Sequence, residues 1–206
     1  MDAVTTVQPM LSLWEEPASD HRSRIVADST DRLAWLKARA RGVTATDVAR
    51  LSSMASVRAV VQDKLLGNGF GGNAFTEHGV AREPEIAKWV RYTHRIEPST
   101  SLFHARHDRR HLATPDGVAM IDGTVVLAEI KTTTSEWRSV PRSYLRQIWW
   151  QQYVLGAERT LFVWERHVDF VPVASEPRCQ WVERDDNEIH VLIARANAVL
   201  AQMYRP

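Results

Sequence analysis

The stretch ATPDGVAMIDGTVVLAEIKTTT, residues 113–134, decides how the rest of the chain reads. Two apolar runs are split by Asp122-Gly123, a dipeptide suited to the two-residue turn of a β-hairpin. The paired strands would carry Asp116 at the head of the first, and Glu129 and Lys131 late in the second. Alternate residues of a strand point to one side, so Glu129 and Lys131 share a face while Ile130 points the other way. A carboxylate and an ammonium in an apolar strand are costly unless they pair with each other, a metal or a substrate. A plain surface ion pair satisfies this spacing too, and E-x-K alone is common. If the hairpin brings Asp116 toward Glu129, however, the two carboxylates repel, and a divalent cation relieves them. Magnesium suits such a set because it takes hard oxygen ligands and leaves positions for water and phosphate. Lys131 would then orient or deprotonate an attacking water, or neutralise charge growing on phosphorus.

Around this hairpin the order is helices, three strands, a helix and a strand. Residues 1–28 are polar and aperiodic, with Pro9 and Pro17, and are expected as a partly ordered arm; 29–206 are expected as one domain. STDRLAWLKARARG predicts a helix capped by Ser29 or Thr30 and stopped at Gly42. A second helix opens at Thr46 as N-cap and runs to about Leu65. GNGFGGN, 67–73, is a loop lacking the lysine and hydroxyl residue of a phosphate-binding P-loop. Residues 74–96 continue as helix, with Pro84 marking either a kink or a restart. SLFHARH, DGVAMID and VVLAEIK are the three strands. PRSYLRQIWWQQYVLG is a helix with Pro141 near its first turn and Gly156 past its end. RTLFVWERHVDFVPV supplies one or two strands, SEPRCQWVERDD a loop, and NEIHVLIARANAVLAQMY the last helix.

Composition excludes more than it assigns. Hydrophobic content of 44% and charged content of 25% are ordinary globular values. A net charge of +1 means that nucleic-acid binding must come from local clustering. Cys179 is the only cysteine, which rules out an internal disulfide or a site of several thiolates and suits a reducing cytosol. No stretch is long and apolar enough to span a membrane, and no signal peptide is visible, so a cytoplasmic protein is expected. Twenty-two of the 26 basic residues are arginine. His104, His107 and His111 with Asp108 could form a metal cluster, but DNA-backbone contact from Arg109 and Arg110 is the better functional reading, with a plain solvated turn as the alternative. Trp149 and Trp150, with Trp137 and Trp164, could stack on bases; core packing is favoured for at least one of the adjacent pair, since they stand about 100° apart on a helix. Cys179 has no histidine nearby in sequence and no nucleophilic role is expected.

Taken together, ATPDG, LAEIK and YLRQIWWQQYV resemble the PD-(D/E)xK nuclease superfamily, and within it the phage-type recombination exonucleases of the YqaJ and lambda-exonuclease group. Trp35, Arg39 and GVTATDV match an upstream element of that group, with Thr46 where serine is usual; Gly79, Glu83 and Pro84 match another. The similarity spans about residues 33–165. It implies an α/β, restriction-endonuclease-like core, a mixed central sheet in αβββαβ order flanked by helices, with an N-terminal helical elaboration. It implies that Asp116, Glu129 and the Ile130 carbonyl hold Mg2+, for which Mn2+ may stand in, with Glu83 reaching the centre and Lys131 serving the water. Gln147 would support the lysine or a phosphate oxygen, three residues after Tyr144. Arg39 and Thr46 would bind a terminal 5′-phosphate. Trp149 stands where a polar residue is frequent, and Glu85 competes with Glu83 as the helix acid. The activity implied is 5′-to-3′ degradation of linear double-stranded DNA, leaving 3′ overhangs for a single-strand annealing protein, by a ring-shaped trimer in a bacterial host cell. A structure- or site-specific endonuclease, or a non-catalytic DNA-binding relative, are the alternatives.

Overall fold

The computed structural model describes residues 21–66 and 74–205. The GNGFGGN loop therefore lies outside the described residues, as does the arm up to residue 20. The last eight residues of that expected arm are docked: a 3-10 turn at His21–Arg24 leads into strand β1, Ile25–Asp28. Arg24 donates to the carbonyl oxygens of His104 and Leu155 at 2.9 and 3.0 Å and to that of Val154, so one guanidinium satisfies two carbonyls at the end of the helix that closes at Leu155.

Helix α1, Arg32–Ala40, is capped by Asp31, whose carboxylate accepts the Ala34 N–H at 3.0 Å. Ser29 and Thr30 are not the cap; Thr30 is spent on Asp28, through its N–H at 3.0 Å and its hydroxyl at 2.9 Å. After the short strand β2, Val43–Thr44, the predicted second helix begins two residues earlier than Thr46 and divides. Thr44 is the N-cap of α2, Ala45–Arg50, in a reciprocal box with Asp47. The break at Leu51 is held by long-range donors: Arg146 donates to the Ala49 carbonyl and Arg195 to that of Leu51. Helix α3, Ser56–Leu66, follows. Helix α4, Ala74–His94, runs through Pro84 without restarting.

Strands β3 (Glu97–Pro98), β4 (Ser101–His104), β5 (His111–Ala113), β6 (Gly117–Ile121) and β7 (Thr124–Thr133) come next. Then come α5 (Arg142–Leu155), β8 (Ala157–Val168), β9 (Val171–Pro172), β10 (Arg178–Glu183) and α6 (Asp186–Met203). The first predicted strand, at 101–104, joins a small sheet ordered β1-β4-β5-β2 rather than the main one. The main sheet is ordered β10-β8-β7-β6-β3, with β7 antiparallel to β6 and parallel to β8. The β6–β7 turn takes positive φ at both Asp122 (51°) and Gly123 (79°), as the dipeptide predicts. The segment expected as a loop at 175–186 contains β10, an edge strand paired along β8. Its mostly exposed residues carry no apolar alternation to betray it.

Strand β7 is buried on both faces, which is why it reads as a nearly continuous apolar run. Val125 and Leu127 face a core with α5, α6 and α2, while Val126, Ala128 and Ile130 face Ile86, Ala87 and Val90 of α4. The polar end of this central strand thus emerges between α4 and α5.

Candidate active site

The register of β6 and β7 explains the first acid. Gly117 pairs with Ala128, so continuing the ladder would set Pro115 opposite Ile130. Proline has no N–H to offer, and β6 starts only at Gly117. The Ile130 N–H instead donates to the Asp116 carboxylate at 2.6 Å, which fixes that carboxylate at the end of the sheet. Gly117 is required by space: a Cβ there would stand 2.9 Å from Ile96 Cγ2 and 3.1 Å from Ala128 Cβ. Gly79 plays the same part for α4, where a Cβ would come within 2.9 Å of Thr132 Oγ1.

Glu129 is completely buried and fully occupied. Lys131 and Gln147 both donate to its Oε1, and Gln151 donates to Oε2 at 2.6 Å. Lys131 Nζ also donates to the Ile130 carbonyl at 3.0 Å and lies 5.6 Å from the centre of the Tyr144 ring. Gln147 therefore meets the carboxylate, not the lysine. Gln151 was not singled out from the sequence, although its spacing of four from Gln147 puts both on one helical face. Leaving a buried carboxylate oxygen without its donor costs roughly 1–3 kcal/mol, so these amides offset the burial of the Glu129 oxygens.

Three acids share one ammonium here. Burial, with Glu129 and Glu83 nearby, pushes the Asp116 carboxyl well above its ordinary value of 3.8, against the pull of Lys131 and the Ile130 N–H. Burial also raises Glu83, where Lys131 opposes and Glu129 reinforces the shift. Lys131 resists burial because Glu129 and Asp116 hold its proton, and it stays above the usual lysine range. Glu85 has no part in this: it is exposed and pairs with Lys88 at 2.7 Å. Glu83 is the α4 acid that feels the cluster. Among the described residues no three acidic, imidazole or thiol groups already converge as a ready cage. The Lys131 ammonium sits between Glu129 and the Ile130 carbonyl, on oxygens that a cation would use. The donors are all hard oxygens with excess negative charge, which fits Mg2+ or Mn2+ and not zinc.

The upstream motif forms a second cationic point. The Arg39 guanidinium lies 4.1 Å from the centre of the Trp35 ring, one turn away, and burial lowers its pKa while Asp47 opposes the shift. Thr46 is exposed in the first turn of α2, beyond the true cap. Lys64 donates to Asp47 at 2.7 Å and to the Arg39 carbonyl at 3.2 Å, fastening α3 to both.

Other sequence candidates resolve differently. His111 is buried with Nδ1 3.0 Å from the Tyr153 hydroxyl and Nε2 3.1 Å from Asn197 Oδ1, and burial lowers its pKa; it is a satisfied core histidine. His104 Nδ1 lies against the Ala105 carbonyl at 2.8 Å, and no metal cluster forms among the described residues. Both adjacent tryptophans are buried: Trp150 donates to the Leu112 carbonyl at 3.0 Å and Trp149 to that of Glu183 at 3.3 Å. Trp164 stacks on Phe162 at 5.6 Å, and Trp137 packs on the same ring. Cys179, on β10 rather than in a loop, is exposed with its sulfur 3.9 Å from His94 Nε2. A buried group that sequence reading missed is Glu165, held by Arg82 at 2.7 and 3.1 Å and by His167 at 2.8 Å.

The fold has solved counterparts. An alkaline exonuclease from Laribacter hongkongensis aligns with a TM-score of 0.64 and 25% identity, over 82% of this chain and 91% of its own; it has also been solved with dAMP. A phage-related exonuclease from Haemophilus somnus 129PT aligns with a TM-score of 0.60 and 14% identity, over 79% of this chain and 93% of its own, which speaks to fold alone. No curated protein matches in sequence. No helix among the described residues is long and apolar enough to cross a membrane. The sequence profile of the YqaJ-like viral recombinase domain matches residues 34–158, which takes in α1, the hairpin, the acids and all of α5; this chain belongs to that family.

Proposed function

We infer that this chain is a metal-dependent deoxyribonuclease that degrades linear double-stranded DNA from the 5′ end and leaves a 3′ single strand. One observation carries the reading: Glu129, Asp116 and Glu83 interact at a strand end with Lys131 as the one ammonium among the described residues, the excess of negative charge that a divalent cation and a phosphate backbone would complete. Asp116, Glu129, Glu83 and the Ile130 carbonyl would hold the ion. Bound Mg2+, or Mn2+ in its place, would supply Lewis-acid activation of water and of the scissile phosphate.

The remaining roles belong to the chain. Lys131, holding its proton, donates to a non-bridging phosphate oxygen and offsets the charge that grows on it. Gln147 and Gln151 keep the Glu129 carboxyl group aimed. Arg39, backed by Trp35, and Thr46 receive the 5′-phosphate at the amino end of α2, which sets the cut at a terminus. The alkaline exonuclease of similar fold supports the exonuclease reading, and the recombinase family supports a partner that anneals the exposed strand in the cytoplasm of a bacterial host. A homotrimeric ring is the assembly we propose on the same footing.

End-labelled linear duplex tests this directly. With Mg2+ the 5′ label leaves first, chelation stops its release, and covalently closed circles survive. Release of the 3′ label first overturns the polarity, and cutting of circles makes the chain an endonuclease. Arg39→Ala is expected to erase a preference for 5′-phosphorylated over 5′-hydroxyl ends; a preference that persists removes Arg39 from the pocket.

A further inference from the structure

Helix α1 buries none of its residues and carries cations on two faces. Trp35 and Arg39 form one. Ala34, Lys37, Ala38 and Arg41 recur at i, i+3, i+4 and i+7 and form another, roughly 120° further round. This second face lines a groove of about 320 Å³ whose opposite wall is the chain from Arg109 to Leu112. Lys37, Arg41, Arg109 and Arg110 line the groove, and among the described residues no acid does. Arg110 is committed to Asp108 at 2.8 and 3.1 Å. Lys37, Arg41 and Arg109 are exposed and have no ion pair or side-chain hydrogen bond among the described residues. Both walls are nonetheless braced: the Tyr204 hydroxyl donates to the Arg41 carbonyl at 2.7 Å, and the Val43 N–H to the Arg110 carbonyl at 2.7 Å.

Three unneutralised cations held on fixed walls repel one another and form a standing invitation to a polyanion. Distance identifies which one. Arg110 and Asp116 are six residues apart along β5 and its exit, at most about 20 Å, or roughly six base-pair rises of 3.4 Å. Among the described residues the lining holds no aromatic side chain on which unpaired bases would stack, so its chemistry is that of contacts to duplex phosphates. We propose that this groove seats the phosphate backbone of uncut duplex DNA, a second contact separate from the Arg39 point and within about six base pairs of the acids. The identity of the polyanion rests on the nuclease reading.

Anisotropy of a labelled duplex of about 30 base pairs, measured with the full chain and chelator across a salt series, reads the groove without cutting. For Lys37→Gln/Arg41→Gln/Arg109→Gln the slope of log affinity against log salt is expected to flatten by about 2 to 3, near 0.9 per lost phosphate contact. Arg109→Gln alone, should the triple variant fold poorly, is expected to flatten it by about 1. Lys88→Gln/Arg91→Gln, whose cations already pair with Glu85 and Glu97, serves as the control and should leave the slope in place. An unchanged slope in the groove variants, equal flattening in the control, or a loss confined to single-stranded DNA overturns the proposal. A wild-type chain that leaves linear duplex intact with Mg2+ while the groove variants still flatten the slope sinks the nuclease reading and spares the groove. Normal cutting with an unchanged slope does the reverse.

Discussion

Glu129 and Glu165 are neighbours in the sheet and opposites in design. Both are buried carboxylates near the carboxyl ends of adjacent parallel strands, Glu129 on the α5 face and Glu165 on the α4 face. Glu165 is neutralised within the protein: Arg82 grips both oxygens, His167 takes one again, and together they hold its pKa below the ordinary value despite burial. Glu129 shares one ammonium with Asp116 and Glu83, both pushed upward. One cluster is closed and staples a helix to a strand. The other is left with a surplus of charge, which is the condition for binding something from outside. Burial alone therefore does not mark a functional acid; an unbalanced neighbourhood does.

The largest test of this contrast is Asp116→Asn. Metal-assisted phosphoryl chemistry is worth several kcal/mol, so cleavage should fall by about 1000-fold or more, and activity that persists unchanged refutes the site. The same variant should not lose stability, because the amide oxygen still accepts the Ile130 N–H while the repulsion goes. The sign with pH follows from the raised pKa. A carboxyl that binds its proton more tightly when folded favours the fold below its unfolded pKa, and that advantage is lost as pH rises through the folded value. In metal-free buffer Asp116→Asn should thus exceed wild type in urea midpoint at pH 7, with the gap closing as pH falls toward the ordinary 3.8.

Next in size is Arg82→Ala, which strands Glu165 in the interior. A loss of about 2 kcal/mol in unfolding free energy is expected, at the low end for a broken buried pair because water reaches Arg82, while the folded fraction keeps cutting. If stability is untouched and cutting collapses instead, the two clusters have been assigned the wrong way round. Smallest is Gln151→Leu. Freeing Glu129 Oε2 of its donor should cost about 1 kcal/mol of stability and should also lower turnover, since here the amide serves a functional acid. A change in only one of the two readouts would separate aiming from packing.

Much of this contrast could be read from the chain in advance, and the limits are physical. Asp122-Gly123 fixed the hairpin, and period-two alternation placed Glu129 with Lys131, because both depend on residues a few positions apart. Thr44 was equally legible: Thr-x-x-Asp at 44–47 is a capping box, which the choice of Thr46 as N-cap overlooks. Gln151 was one helical turn from a residue already chosen. Glu165 with Arg82 was beyond reach, since a pair 83 residues apart exists only once α4 lies on the sheet. Strand β10 was hidden for the reason that makes it a good edge: most of its side chains are exposed, and charges stand at both its ends, Arg178 and Glu183.

Ile130 carries a consequence of its own. Its side chain is sealed into the hydrophobic layer beneath α4, its N–H is held by Asp116, and its carbonyl is held by Lys131. The reactive groups on either side of that peptide are consequently anchored by grease rather than by a loop. Heating should not loosen them first: turnover and the cooperative loss of the hydrophobic layer ought to fail at one temperature, with no softened, inactive intermediate in between.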